Sequence, residues 1–323
     1  MTSAGHRFSF ETIVVATDLN QSGSCALQYA ERIAQLHKSK LVIVHAIDPV
    51  GYAFPEGIPE SVLSDQRACS ALRQIEEGIR HQGIPTHSVV ETGVIYERIL
   101  QAALDHHADL LVLGTRAAAK IGREAMGKVA RRLLATAPFS ILTVPPAADS
   151  SLVSTGRWHN ILVATDFSDA SREALDRAQA LEGDRLFVIH VSGDPEDLSH
   201  QEGLEHLRFP APFKESHAVP VEHVVMPGEA GQVIAEQADR VQADLIVLGS
   251  PADEPHEDDF ETSTVLQVIS NASCPVLCVR SVRDASHAEA INKLPITSKK
   301  CTGSFACSCP ASCRGASRTA LAG

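Results

Sequence analysis

The stretch that decides the fold is Ile13-Val-Val-Ala-Thr-Asp18-Leu-Asn20, because it returns 148 residues further on as Ile161-Leu-Val-Ala-Thr-Asp166-Phe-Ser168. Each version is a short apolar run followed by Thr-Asp. A run that is apolar throughout is typical of a strand buried on both faces of a parallel sheet. The repeat therefore predicts two copies of one buried strand, each ending in the same polar turn.

Three further segments repeat in the same order. Leu41-Val-Ile-Val-His45-Ala46 returns as Leu186-Phe-Val-Ile-His190-Val191, 145 residues on. Ala108-Asp-Leu-Leu-Val-Leu-Gly114-Thr returns as Ala243-Asp-Leu-Ile-Val-Leu-Gly249-Ser, 135 residues on. When Pro138 is matched to Pro275, the last apolar run returns 137 residues on. Constant order with changing spacing indicates a duplicated domain whose loops differ in length.

Apolar runs alternate with helical patterns within each copy. The predicted strands are 12–17, 41–46, 109–114 and 139–144, with a weaker one at 87–91 and its counterpart at 221–225. The predicted helices are 60–82, 94–107, 122–136, 170–181 and 229–241, and a first helix buries Cys25, Ala26, Tyr29, Ile33 and Leu36. This alternation predicts the α/β class, with two tandem, five-stranded, parallel, doubly wound domains.

The repeats divide the chain into a first domain at 1–148, a second at 157–282 and a tail at 283–323. The stretch 145–157, rich in Pro, Ala and Ser with few large apolar residues, is predicted to be a linker. The apolar edge strands 139–144 and 275–280 are predicted to pair, which makes the two domains an internal pseudo-dimer. The tail is basic and contains Cys301, Cys307, Cys309 and Cys313, so a flexible segment is expected, with a metal site as the alternative.

Composition excludes several classes of function. The net charge is −12 and only 4% of the residues are aromatic, which argues against nucleic-acid binding. No run of 18 apolar residues predicts a membrane span, and the N-terminus does not resemble an export signal, so a cytoplasmic protein is expected. No Gly-x-Ser-x-Gly, His-Glu-x-x-His or Cys-x-x-Cys motif occurs. The sequence therefore predicts a protein that is not an enzyme and holds no catalytic metal.

Candidate ligand-binding residues follow the strands of the first copy. A doubly wound sheet binds ligands beyond the carboxyl ends of its strands, where the winding reverses. Asp18, Ala46 and Gly114 come at or near those ends. An aspartate there accepts hydrogen bonds from amines or hydroxyls, and a glycine lets backbone N–H groups approach a phosphate. The alternative is that Asp18 caps the following helix and Gly114 turns the chain.

Taken together, these motifs resemble the universal stress protein family, and the two copies, about 270 residues, resemble a tandem, two-domain member. The resemblance implies nucleotide-binding-like α/β domains, and some members bind ATP through Gly-x2-Gly-x9-Gly-[Ser/Thr]. Carried over to this chain, it places Asp18 toward the ribose or adenine and Ala46 behind the base. It places the remaining candidate residues near the phosphates: Gly114, Gly127, Lys128 and Val129.

Both copies depart from that signature. The first reads Gly114, Ala117, Gly127, Lys128, and the second reads Gly249, Ala252, Thr262, Ser263. Each lost glycine adds a Cβ where backbone would approach phosphate. Residues 114–128 hold four basic residues and one glutamate, whereas residues 250–263 hold six acidic residues and no basic one. Like charges repel a triphosphate, so at most one ATP site is predicted, in the first domain.

The expected function is that of a stress-associated, cytoplasmic binding or sensing protein, with a homodimer and an unidentified protein partner left open. One alternative is a scaffold or apolar-ligand carrier that has lost ATP binding. Another is a slow ATPase or a nucleotide-dependent transferase, favoured by the near-P-loop Gly122-Arg-Glu-Ala-Met-Gly127-Lys128. That segment begins eight residues after Gly114, whereas a P-loop directly follows its strand, so the start of a helix is the other interpretation.

Overall fold

The structure is a computed structural model that describes residues 9–19, 21–48, 60–115, 126–146, 148, 151–181, 183–192, 219–250 and 263–280. The tail with its four cysteines lies outside these residues. So do Ala117 and most of the basic loop, the first part of the near-P-loop, and nearly all of the acidic loop.

The first half contains five strands and four helices among the described residues. In chain order they are β1 (Thr12–Ala16), α1 (Gln21–His37), β2 (Lys40–Ile47), α2 (Glu60–His81), β3 (Thr86–Thr92), α3 (Ile95–Asp105), β4 (Leu110–Gly114), α4 (Lys128–Thr136) and β5 (Ser140–Val144).

The second half follows the same plan after a short helix, again within the described part of the chain. Its elements are α5 (Ser151–Thr155), β6 (Asn160–Ala164), α6 (Asp169–Ala180), β7 (Arg185–Ser192), β8 (Val221–Pro227), α7 (Ala230–Arg240), β9 (Leu245–Ser250), α8 (Thr264–Asn271) and β10 (Val276–Arg280).

The ten strands form one sheet in the order β3-β2-β1-β4-β5-β10-β9-β6-β7-β8. All pairs within each half are parallel, which confirms the predicted doubly wound fold. The winding of the first half reverses between β1 and β4, and that of the second half reverses between β6 and β9. These two reversals are where a ligand is expected.

Two apolar layers cover the sheet. One packs α1, α2, α5 and α6 on one face, and the other packs α3, α4, α7 and α8 on the opposite face. Strand side chains alternate between these layers, so Val15 faces one layer and Val14 faces the other. Burial on both faces explains why the strands are apolar throughout.

The halves meet at the predicted edge strands, which pair antiparallel: β5 lies beside β10. Leu142 pairs with Leu277, and on either side Thr143 pairs with Val276 and Ile141 with Cys278. The Thr143 hydroxyl donates a hydrogen bond to the Val276 carbonyl at 3.3 Å. The pairing is self-complementary about Leu142 and Leu277, as expected of a local two-fold axis.

The register of this seam corrects one match made from the sequence. Gly114 pairs with Val144 in the first half, and Gly249 pairs with Val279 in the second. The true spacing of the last repeat is therefore 135 residues, and the proline match at 137 is wrong. Aligning the prolines misplaces the strands because each proline sits at a different point relative to its strand.

The stretch predicted to be a linker is partly core. It forms α5, whose Leu152 is fully buried, and it continues to Trp158, which stacks on Tyr29 of α1 with ring centroids 6.2 Å apart. One leucine and one tryptophan are enough to anchor a short segment, and a composition dominated by Ala and Ser hides them.

Two helix predictions also need correction. Leu36 of α1 was predicted to be buried, but it is 46% exposed, since it lies near the helix end. The helix predicted from residue 122 begins at Lys128, because Gly127 has extended backbone and caps it. Residues 122–125 lie outside the described residues.

No helix within the described ranges is long and apolar enough to cross a membrane.

Candidate functional site

The Thr-Asp turn after the first strand is built in the same way in both halves. The Thr17 hydroxyl oxygen accepts a hydrogen bond from the Leu19 N–H at 3.0 Å, and Thr165 accepts one from Phe167 at 3.0 Å. Leu19 and Phe167 have positive φ angles of 61° and 65°. Threonine at this position stabilises the left-handed residue that turns the chain from strand to helix.

A histidine from the neighbouring strand fastens each turn. His45 Nδ1 lies 2.8 Å from the Thr17 carbonyl oxygen, and His190 Nδ1 lies 2.8 Å from that of Thr165. Because a carbonyl oxygen only accepts, Nδ1 carries the proton in both rings. These histidines therefore have a defined structural role, which explains why both repeats have histidine at this position.

The two aspartates of the repeat differ in their surroundings. Asp18 and Asp166 are both exposed at the carboxyl ends of β1 and β6. Asp166 accepts a hydrogen bond from the Ser168 N–H at 3.0 Å. Burial of the carboxylate raises the pKa of Asp166, but hydrogen bonds from Ser168 and Ser171 outweigh burial, so the net pKa is lowered. In the first half Gly23 replaces Ser171.

The sheet brings several predicted site residues of the first half to one edge. β1 pairs with β2 and with β4, so Asp18, Ala46 and Gly114 lie toward the carboxyl ends of adjacent strands. Ala46 is half-buried and packs against the apolar layer that also contains α3 and α4. Gly114 is the last residue of β4, and the next residue, Thr115, continues the ladder through its N–H to the Val144 carbonyl at 2.9 Å.

The other three predicted residues form the start of α4, which begins at the same edge because the β4–α4–β5 crossover brings the chain back across the sheet. Gly127 is the N-cap, with φ −69° and ψ 152°, and it has no side chain with which to accept a helix N–H. Lys128 is exposed, and Val129 is half-buried against the apolar layer that holds Ala46. The first turn contains no acidic residue. A helix that begins with a glycine N-cap and a lysine leaves its first N–H groups available to an anion and adds a positive charge beside them.

The corresponding start of α8 is closed by its own side chain. Its N-cap is Ser263, whose hydroxyl oxygen accepts a hydrogen bond from the Leu266 N–H at 3.3 Å. Gly127 and Ser263 therefore have the same role as N-caps, although the 135-residue offset matches Gly127 to Thr262, because α8 has eight residues where α4 has nine. Ser168 caps α6 in the same way, accepting from the Ser171 N–H at 3.2 Å.

Gly249, the glycine that opens the signature in the second half, serves packing. A Cβ at this position would lie 2.3 Å from the Ala170 carbonyl carbon and 2.5 Å from the Ser171 nitrogen. The backbone of α6 thus lies directly against β9 at Gly249. The absence of a side chain is needed for helix–sheet contact, as is common where a helix approaches a strand closely.

Sequence reasoning missed the role of one repeated residue, the aspartate that precedes β4 and β9. Asp109 Oδ2 accepts hydrogen bonds from the Glu11 and Thr12 N–H groups at 2.7 and 2.8 Å. Asp244 does the same for His159 and Asn160, at 2.6 and 3.0 Å. The signal was present, since Ala-Asp-Leu occurs in both copies, but a strand-entry contact leaves no other mark in sequence.

The described residues contain one apolar cleft at the local two-fold axis. It is lined by equivalent residues of the two halves, among them Leu142 and Leu277, and Phe10 and Trp158. The space inside it is about that of one water molecule, which is too small for a carried apolar ligand. No group of three His, Cys, Asp or Glu side chains in the part of the chain covered here is placed to hold a metal ion.

Comparison with known proteins agrees with the fold and the duplication. The universal stress protein family model matches twice, at residues 9–145 and 157–280. With both halves matched, most of the chain is accounted for, and it belongs to the universal stress protein family. It has two of the family's domains in tandem.

Individual relatives match one or both halves. A Thermus aquaticus protein named "Universal stress protein in QAH/OAS sulfhydrylase 3'region" is 33% identical over 136 residues, covering 42% of this chain and 98% of that protein. A universal stress protein of Mycolicibacterium smegmatis is 26% identical over 288 residues, covering 83% and 96%. The crystal structure of a universal stress protein from Archaeoglobus fulgidus superposes with a TM-score of 0.67 at 19% identity, covering 83% and 98%.

Proposed function

We propose that this protein is a stress-associated binding or sensing protein with a single ATP site, formed by the first half at the carboxyl edge of β1, β2 and β4. The observation that carries the proposal is the contrast between two helix starts. The N-cap of α4 is Gly127, followed by an exposed lysine, whereas Ser263 caps α8 with its own hydroxyl. An external anion can take the place at α4 that a serine oxygen takes at α8.

Charge supports the same choice of half. Residues 114–128, which include the first residue of α4, have a net charge of +3, and residues 250–263 before α8 have a net charge of −6. Unit charges of like sign at 4 Å repel by about 4 kcal/mol at an effective dielectric constant of 20, which exceeds the roughly 0.3–1 kcal/mol returned by a helix terminus.

Within this site Asp18 is assigned to the ribose or adenine and Ala46 to the apolar side of the base. Gly114, Gly127, Lys128 and Val129 are assigned to the phosphates. The carboxylate of Asp18 accepts hydrogen bonds from hydroxyl or amino groups, and Ala46 offers an apolar surface. A cytoplasmic location, the lack of catalysis and the existence of a protein partner belong to the proposal and rest on the sequence expectations given above.

The test is a calorimetric titration of ATP into the full chain and into Gly127→Glu, with Ser263→Glu as the matched control. A carboxylate at the N-cap of α4 should weaken ATP binding at least tenfold, since about 1.4 kcal/mol of repulsion is enough for that change. The same charge at Ser263 should leave affinity unchanged. An equal loss of ATP affinity in both variants, or a loss in Ser263→Glu alone, would contradict the assignment of the site to the first half.

The alternatives predict other results in the same experiment. A scaffold that has lost nucleotide binding would show no heat of binding with the wild-type chain. A slow ATPase would release phosphate on prolonged incubation and lose that activity in Lys128→Ala. Binding without turnover supports a sensing protein.

A further inference from the structure

Arg280 is a buried cation that crosses between the two halves. It is the last residue of β10, in the second half, and only 6% of it is exposed. Burial lowers its pKa, although an arginine remains charged in proteins. A buried guanidinium is costly unless hydrogen-bond acceptors surround it, so its contacts need a reason.

Those contacts lie mainly on the first half, at the end of α4. Nε donates to the Ala137 carbonyl at 3.0 Å, and Nη2 donates to the carbonyls of Ala135, at 3.1 Å, and Leu134. The last carbonyls of a helix receive no hydrogen bond from the N–H groups of that helix, and they carry its negative partial charge. Arg280 therefore caps the carboxyl end of a helix that belongs to the other half.

The same side chain is also fixed to its own half. Nη1 donates to the Ser250 hydroxyl oxygen at 3.2 Å, at the end of β9. The guanidinium thus joins β9, β10 and α4 through side-chain hydrogen bonds, in addition to the backbone ladder of the seam. A rigid, planar donor group suits this role because several bonds form from one fixed geometry.

The first half has no equivalent of this contact. The pairing of β5 with β4 and of β10 with β9 makes Pro145 the equivalent of Arg280, and a proline side chain has no hydrogen-bond donor. The second half therefore holds α4 through a cation, whereas residue 145 cannot hold α8 in that way. The helix that is held is the one whose other end is Gly127, Lys128 and Val129.

We infer that Arg280 is a positioning residue for the anion site of the first half. It belongs to the second half of the same chain and acts on that site through α4. α4 has nine residues, so fixing its last turn fixes its first turn. In this arrangement the second half, in which Ser263 caps the start of α8, still contributes to binding. The consequence for ligand affinity rests on the proposed function, but the effect on α4 does not.

The experiment compares Arg280→Met with Thr143→Val, which removes a different side-chain hydrogen bond across the seam, one whose acceptor is the Val276 carbonyl and not a residue of α4. Amide hydrogen exchange is measured first, without nucleotide. Arg280→Met should raise exchange in residues 128–137 about tenfold over wild type, whereas Thr143→Val should leave it unchanged. Equal exchange of this helix in the two variants overturns the inference.

ATP titration of the same variants then tests the link to the site. Arg280→Met should weaken ATP binding about tenfold, within the range typical of coupled sites, and Thr143→Val should not. By reciprocity, ATP should slow exchange at residues 276–280 in the wild type. Unchanged affinity in Arg280→Met with a loosened α4 overturns the positioning role. Failure of the wild type to bind ATP defeats the proposed function, while the exchange comparison still decides whether Arg280 holds α4.

If Arg280→Met does not fold, Arg280→Lys serves in its place. Lysine keeps the charge but lacks the planar group of donors. The inference therefore predicts intermediate results for Arg280→Lys: exchange in α4 faster than in the wild type but slower than in a helix that is no longer held, and ATP affinity weakened by less than tenfold. A lysine variant that matches wild type in both measurements contradicts a role for the guanidinium geometry.

Discussion

The two halves share one fold and differ most where a ligand is expected. Both keep the Thr-Asp turn, the histidine that fastens it and the aspartate at strand entry. They diverge at the helix starts, where Gly127 stands in one half and Ser263 in the other. The second half, in which Ser263 caps the start of α8, has the same threonine and histidine contacts as the first. These contacts therefore maintain the fold in both halves.

The difference also separates two roles for glycine. Gly249 is required by the approach of α6 to its strand, whereas Gly127 has ordinary extended backbone that any residue adopts. The absence of a side chain is therefore required for packing at Gly249, whereas Gly127 can be replaced without backbone strain, which makes it the position to use in a test of ligand binding.

The largest expected effect comes from the residues on the two-fold axis. Leu142→Ala and Leu277→Ala should each lower the free energy of unfolding by about 2–5 kcal/mol, since both leucines are almost fully buried and alanine leaves a cavity. Because the halves are equivalent there, the two costs should agree closely. Urea denaturation of each variant measures them.

Leu36→Ala is the control, because Leu36 is a leucine of α1 with nearly half its surface exposed. Its cost should be smaller, about 1 kcal/mol, because only about half of the side chain is removed from water. A cost for Leu142→Ala much smaller than that for Leu277→Ala would show that the seam is not symmetric in energy.

The next effect concerns Gly249, where the backbone of α6 packs against β9. Gly249→Ala should destabilise the protein by about 1–3 kcal/mol, since its Cβ would meet the backbone of α6 and force the helix outward. Gly78→Ala is the matched control in α2, where a Cβ meets nothing within 4 Å. That change should stabilise the helix by about 0.5–1 kcal/mol. Thermal unfolding of both variants gives the comparison, and a neutral Gly249→Ala would mean that α6 does not press on β9.

Much of the fold was predictable because strands that are buried on both faces of a parallel sheet are continuous apolar runs in the sequence. Runs such as Val14-Val15 are apolar at every position, and duplication shows each run twice. The register of the last strand was not predictable, since proline is a local turn signal and does not fix which residues face one another. The ladder at Leu142 and Leu277 fixes it.

The site was predictable only in outline. Strand ends are visible as the points where apolar runs stop, so Asp18 and Gly114 could be placed at one edge. The role of Arg280 could not be recognised, because its partners in the first half are backbone carbonyls 143 or more residues away and carbonyls have no sequence signature. The burial of Leu152 was missed for a related reason: a single anchor residue makes no periodic pattern.

The smallest expected effect is a pH dependence of stability that comes from Asp166 in the second half. Because hydrogen bonds lower the pKa of Asp166 in the folded state, the unfolded chain binds a proton there more readily, and stability rises with pH in that range. The contribution of Asp166 is thus fully present above its unfolded pKa of about 3.9 and is lost as the pH falls through the lower folded value. Urea denaturation between pH 2.5 and 6, values chosen to bracket about 3.9, should show a shallower slope for Asp166→Asn.

Ser168→Ala identifies the cause of that slope. It removes one of the hydrogen bonds that lower the pKa of Asp166 and also uncaps α6, so it should lower stability by about 1 kcal/mol at every pH and flatten the acid slope as well. An NMR titration of the Asp166 carboxyl should show its pKa rising in this variant. If the pKa stays in place, the Ser168 hydroxyl is not the cause, and the backbone N–H of Ser168 and the Ser171 side chain hold the carboxylate without it.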